Sequence, residues 1–137
     1  MQMGEPESKK AAVKKEQRFS QEQYDMLLRC SEKGHEGIKE WNEWVNKHES
    51  EDILLEGVDL SKQYLEGALL WGAHLKHAKL GLANLKGANL SWAHLEHAEL
   101  IGTRLENAHL LYTNLKNAIL SEAHLENATL HWAYLEV

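Results

Sequence analysis

The sequence predicts a β-class repeat solenoid, a chain wound into four-sided coils behind an α-helical segment. Three observations carry this. From Leu55 to Leu135 a leucine occupies every fifth position, 17 in all. Two residues before each stands a small or apolar residue, alanine in 12 units, with Ile53, Val58, Gln63, Thr103 and Thr113 in the others. Outward residues repeat at a spacing of 20: Glu56, Lys76, Glu96, Lys116 and Glu136 alternate in charge, Trp92, Tyr112 and Trp132 form an aromatic column, and Asn107 lies one interval before Asn127.

A period of five fits neither regular element. On an α-helix each step of five rotates the leucine by about 140° round the axis, so no apolar face forms. On a flat strand, alternate leucines point to opposite faces. All leucines reach one side only if each unit holds a short extended piece, with alanine and leucine pointing the same way, and then turns a corner. Stacked coils place residues one full turn apart about 4.8 Å from each other, where opposite charges, aromatic rings and amides favour one another. That order appears at a spacing of 20 and is absent at 15, where Glu56 is followed by Trp71, Lys86 and Ile101. The coil therefore has four sides of five residues, and residues 53–137 make about four coils stacked to roughly 20 Å.

Units such as Ala83-Asn84-Leu85-Lys86-Gly87 and Ala88-Asn89-Leu90-Ser91-Trp92 resemble the pentapeptide repeat family, whose motif is A(D/N)LXX. The resemblance covers residues 53–137 and implies a right-handed quadrilateral β-helix whose narrow interior is filled by the leucines and alanines. Only Asp59, Asn84, Asn89 and Asn114 keep the acidic or amide residue before the leucine.

Residues 1–19 are expected to form a polar tail. Up to residue 18 it holds five basic and three acidic residues with no aromatics between them, so no direct nucleic-acid contact is expected. Ser20 and Gln23 are placed for a capping box, Tyr24, Leu27 and Leu28 follow as an apolar stripe, and Gly34 ends that helix. A second helix is expected over residues 36–47, with Ile38, Trp41, Trp44 and Val45 on one side. Together residues 20–50 read as a helical N-terminal cap, because a first coil exposes unpaired backbone groups and leucine ends that two tryptophans can cover. The resemblance supports this, since bacterial members of the family carry such helices before their repeats. Inside the coil, Gln63 is the one plainly polar inward residue, and its amide needs a partner, which the cap is placed to supply.

With 137 residues, a net charge of −6 and one cysteine, the chain reads as one repeat domain with an N-terminal extension. A lone Cys30 supports no disulfide framework, so a cytoplasmic home is expected. No apolar run approaches a membrane span, and the first residues lack a signal peptide's apolar stretch, so no membrane association is expected.

A regular coil without inserted loops offers no concave pocket, so no catalytic residues and no cofactor are expected, and the chain is not read as an enzyme. His74 and His94 should stack in one column and His77 and His97 in a neighbouring one. Parallel side chains do not converge on an ion, and no metal site is expected. Glu96 and Glu99 point outward among Lys76, Lys79 and Lys116 and read as an ion ladder.

The candidate protein-binding face carries Trp71, Trp92, Leu111, Tyr112 and Trp132, large apolar groups left to water outside a core already filled with leucine. An interaction or scaffold protein with a protein partner is the reading. The alternative follows from the resemblance: some family members protect type II topoisomerases such as gyrase by imitating the acidic rod of duplex DNA. This sequence departs from that pattern, because residues 53–137 carry nine acidic and six basic residues in alternating columns, which cancel a single-signed field. A homodimer is expected through the C-terminal coil, residues 118–137, where Leu120, Leu125, Leu130 and Leu135 present their rims beside Trp132, Tyr134 and Val137.

Overall fold

The computed structural model describes residues 18–136. The tail expected over 1–19, apart from its last two residues, lies outside them, as does Val137. Helix α1 spans Gln21–Glu32 and α2 spans His35–Lys47. Ser20 caps α1 through its hydroxyl, which accepts the Gln23 N–H at 3.2 Å. The reciprocal half of the expected capping box does not form, because the Gln23 amide is used further along the chain. Between the helices Gly34, with φ of 66°, reverses the chain in two residues. The helices then approach so closely that a Cβ added at Gly37 would overlap the Cys30 carbonyl. Cys30 is buried at this crossing, and burial pushes its thiol up from the ordinary value.

From residue 54 onward, parallel bridges join residues 20 apart in four ladders. One runs Leu54, His74, His94, Asn114, Tyr134; the others begin at Asp59, Tyr64 and Leu69. The N–H of each leucine from Leu55 to Leu115 donates to the carbonyl 19 residues ahead, as from Leu75 to His94 at 2.8 Å. From His74 onward the residue before each leucine donates 21 residues back, as from His94 to Ala73 at 2.9 Å. Each inner coil is thus tied to both neighbours along all four walls.

Corners follow each leucine. The N–H of the next inward residue returns to the leucine carbonyl, and the second corner residue has φ between 57° and 75°. Positive φ at that position alone is the mark of a type II turn. Glycine fills five of these positions and larger residues fill eleven, none of them β-branched. Asn84, Asn89 and Asn114 shape their corners through Oδ1, which accepts the N–H two residues on at 3.1 Å. Asp59 does the same with Ser61 at 3.0 Å, and that backbone N–H holds its carboxyl below the usual aspartate range.

The leucines from Leu55 to Leu100 are fully buried, with the alanines beside them. Thr103 and Thr113 stand in alanine positions without leaving a polar atom unpaired: their hydroxyls donate to the Leu80 and Leu90 carbonyls at 2.8 and 2.7 Å. Burial fades at the far end, where Leu120, Leu125 and Leu130 are half-buried and Leu135 is 53 % exposed.

At the near end the helices complete the hydrogen bonding of the first coil. Residues 18–20 pair antiparallel with Leu54 to Glu56, Ser20 donating to the Leu54 carbonyl and Glu56 to that of Arg18. Three edge N–H groups that have no preceding coil are met by side chains instead. Leu54 donates to Gln23 Oε1 at 2.7 Å, Tyr64 to Ser31 Oγ at 2.9 Å and Leu69 to Asn42 Oδ1 at 2.8 Å. The edge carbonyls of Asp52, Asp59, Gly67 and Leu69 accept from Gln23, Tyr24, Asn42 and Trp41. Trp41 is completely buried, and Leu27, Ile38 and Val45 join the same apolar core as the coil leucines. Gln63 finds its partner here, its Oε1 accepting from the Ser31 hydroxyl at 2.8 Å.

Two substitutions test this junction. Asn42→Ala removes both its bonds to the coil edge and is expected to cost about 1–3 kcal/mol in denaturant unfolding. Gly37→Ala separates the helices and should lower the melting temperature further still; a melting curve matching the parent's would show that the crossing has room to relax.

Candidate interaction surface

The aromatic column forms at the corner that follows Leu70, Leu90, Leu110 and Leu130. Trp92 and Tyr112 stack with ring centroids 4.3 Å apart and planes 14° from parallel; Tyr112 and Trp132 follow at 6.2 Å and 11°. The coil stacking sets this geometry, because the three residues are second corner residues one turn apart. They keep 57 %, 44 % and 72 % of their surface exposed. Trp71, also exposed, does not join the stack: it is the first residue of its corner, in the column of Ser91, Leu111 and His131, and Gly72 stands where a ring would extend the column. Leu111 is half-buried next to Tyr112.

The wall that follows this corner carries His74, His94, Asn114 and Tyr134 outward, and the next corner carries His77, His97 and Asn117. Both histidine pairs stack, His74 on His94 at 5.1 Å and His77 on His97 at 5.0 Å. Burial, together with the neighbouring His94, pushes the His74 imidazole below its ordinary value. Tyr134, 64 % exposed, lies two residues from Trp132, so exposed apolar surface gathers at the C-terminal end of this wall.

Charges pair differently from the expected ladder. Among the described residues, no ion pair links Glu56, Lys76, Glu96, Lys116 and Glu136 along their column. The ion pair that forms on the coil is Arg104 with Glu106 at 3.3 Å, and the His94 and His124 imidazoles, which pair as ions only when protonated, lie 3.6 and 3.8 Å from Glu96 and Glu126. Each contact joins the residues on either side of one leucine, which an extended segment turns to the same face. Burial opposes ionisation of Glu106, but its own backbone N–H and the Arg104 guanidinium outweigh this and hold its carboxyl below the usual range.

Of the expected dimer-end residues, Trp132, Tyr134 and Leu135 are exposed, and Leu120, Leu125 and Leu130 are half-buried. The N–H groups of these four leucines meet no backbone acceptor among the described residues.

The family model for pentapeptide repeats matches the chain in 8 copies, over residues 54–91, 88–127 and 98–136. Among solved structures, the chain is similar to a pentapeptide repeat protein from the cyanobacterium Cyanothece 51142, with 33 % identity over 56 % of this chain and a TM-score of 0.50. It is also similar to a pentapeptide repeat protein from Nostoc PCC 7120, with 39 % identity over 50 % of the chain and a TM-score of 0.42. A third is HetL, a pentapeptide repeat protein of Nostoc sp. strain PCC 7120 involved in regulating heterocyst differentiation, with 38 % identity over 60 % and a TM-score of 0.39. The chain spans 48 %, 53 % and 38 % of the length of these three proteins. No curated protein sequence matches it.

The histidine wall generates a pH dependence. The folded chain binds a proton at His74 less readily than the unfolded chain, whose imidazole titrates near 6.5. This stabilisation is therefore fully present above that pH and is lost as pH falls below it through the lowered folded value. Melting temperatures at pH 7.5 and 5.5 should differ more for the parent than for His74→Gln, and equal differences would remove His74 as the source.

Proposed function

The chain belongs to the pentapeptide repeat family, and from that premise we propose that it is a non-catalytic scaffold that binds another protein through the aromatic corner of its coil. Members of this family fold as right-handed quadrilateral β-helices and are in general structural or interaction proteins. In this reading the chain is a rod of about four coils, capped at its N-terminal end by α1 and α2. Residues 53–137 form the rod, residues 20–50 the cap and residues 1–19 a polar tail whose last two residues pair with the edge of the first coil. A cytoplasmic location fits the single buried cysteine. Among the described residues no helix is long and apolar enough to cross a membrane.

One observation carries the proposal. Trp92, Tyr112 and Trp132 occupy left-handed corner positions, where a residue with a Cβ costs roughly 1–2 kcal/mol relative to glycine. Gly72 holds the same corner one coil earlier without that cost. Three large rings kept in strained positions, stacked and open to water, supply the rigid aromatic anchors that protein interfaces favour. The acidic DNA-mimic reading fits less well, because the rod carries a net charge of only −3, with nine acidic and six basic residues interspersed along it.

The C-terminal coil supports a second contact. Its half-buried leucines and open N–H row offer an edge that a second copy can pair with across a two-fold axis, closing both ends at once.

The aromatic corner is tested by the triple variant Trp92→Asn, Tyr112→Asn and Trp132→Asn, since asparagine already occupies such corners at Asn107, Asn117 and Asn127. We expect melting within a few degrees of the parent and loss of the partner captured from host extract. Unchanged capture would overturn the proposal, as would inhibition of gyrase supercoiling by stoichiometric protein. For the dimer, light scattering at tens of micromolar should give twice the 15.7 kDa chain mass. A monomer mass sinks that contact, and a dimer that survives deletion of residues 118–137 moves it to the aromatic corner.

A further inference from the structure

The aromatic column stops one coil short. Trp92, Tyr112 and Trp132 hold the second position of successive corners, and one coil earlier the same position is Gly72. Trp92 and Tyr112 lie 14° from parallel with centroids 4.3 Å apart, so their planes face along the direction in which the coils stack. Tyr112 covers one face of Trp92. The other is turned toward the level of Gly72, and among the described residues no ring stacks on it. Nothing in the coil fills that level, because a Cβ built on Gly72 meets no atom within 4 Å. Gly102 shows the contrast: there the side chain one coil earlier bends over the glycine, and an added Cβ would lie 2.8 Å from Leu82 Cδ2. The floor of the open level is fixed, since the Gly72 N–H is bonded to the Ser91 carbonyl at 2.8 Å. Trp71, 51 % exposed, stands beside it. Trp71 and Gly72 also line a cavity of about 120 Å³ between the coil and the end of α2, so the space continues past Gly72 toward the helices.

A flat ring placed at this level repeats the contact that Tyr112 already makes on the opposite face of Trp92. Stacking of that kind adds about twofold to tenfold in affinity beyond the burial of apolar area, which an aliphatic chain in the same space forgoes. Glu49, Glu51 and Asp52 line the adjoining cavity and no lysine or arginine does, which disfavours an acidic group and favours a neutral ring with an N–H to donate, as indole has. Tryptophan is also the side chain with which interfaces most often fill a pocket beside another aromatic anchor. We propose that the level of Gly72 is a slot for a tryptophan side chain of the protein partner, which enters beside Trp71, stacks on the free face of Trp92 and becomes the fourth ring of the column. This rests on the reading of the aromatic corner as a protein-binding surface, and it adds where on that surface the partner anchors and by what chemistry.

The test titrates the full chain with N-acetyl-L-tryptophanamide and follows the Gly72 amide and the Trp92 indole N–H in nuclear magnetic resonance. A saturable upfield ring-current shift of both signals is expected, with N-acetyl-L-cyclohexylalaninamide, apolar but not flat, weaker by about threefold or more. Gly72→Asn fills the level with a residue that the corners at Asn107, Asn117 and Asn127 already accept, and should abolish the shift at Trp92 while melting within a few degrees of the parent. Gly87→Asn, at an equally open corner whose column carries no ring, should bind the probe as the parent does. Absence of a saturable shift, equal binding of the cyclohexyl analogue, or a shift at Trp92 retained by Gly72→Asn would each overturn the proposal. In capture from host extract, retention by Gly72→Asn together with loss by the Trp92, Tyr112 and Trp132 triple variant would overturn the inserted ring alone and leave the aromatic corner as the binding surface. Capture kept by the triple variant would overturn the corner reading, and with it a protein as the source of the ring, whatever the probe does.

Discussion

The bond from leucine N–H to the carbonyl 19 residues ahead, repeated from Leu55 to Leu115, is the constraint from which the rest of this molecule follows. It ties one coil to the next, and it forms only if every coil contains the same number of residues. An insertion of one residue would shift a wall out of register and turn its leucine outward. The five-residue spacing is therefore kept without a break from Leu55 to Leu135. In return, each outward residue stands in a column, and this alone stacks Trp92 on Tyr112 and His74 on His94.

A ladder of this kind has two ends, and among the described residues they differ. At the N-terminal end three amide or hydroxyl side chains from the helices take the place of a missing coil. Gln23 and Asn42 do so as both donor and acceptor, since a carboxamide carries the same groups as a peptide bond. Buried polar residues on a helix facing an apolar core are costly unless paired, and here the pairing explains why Gln23 and Ser31 are buried at all. At the C-terminal end the same backbone groups meet no such partners among the described residues, and exposure of the inward leucines rises with them.

Corners are where the repeat leaves freedom. The second corner position needs positive φ, which glycine supplies most cheaply and asparagine next, yet Trp92, Tyr112 and Trp132 fill one corner column. Large rings there are not required by the wall, whose ladder is made of backbone bonds. The outward charges are likewise a local matter. Residues flanking one leucine share a face and pair within their own coil, while side chains one coil apart run parallel and need not converge.

The sequence by itself determined the periodic part: the inward leucines and alanines, the twenty-residue register, the columns and the two helices are all visible as spacing, because stacking makes contact a function of residue number alone. The limits of that legibility are equally physical. That Trp71 misses the aromatic stack follows from one residue of offset, which places it as the first residue of its corner and Trp92 as the second. The partner of Gln63, the diversion of Gln23 from its capping box and the cavity between Trp44 and Trp71 were decided only by tertiary structure. These contacts join a helix pair to a coil across 27 to 33 residues with no repeat linking them, and they depend on how α1 and α2 cross at Gly37. That angle is set by close packing, which leaves no period in the sequence to read.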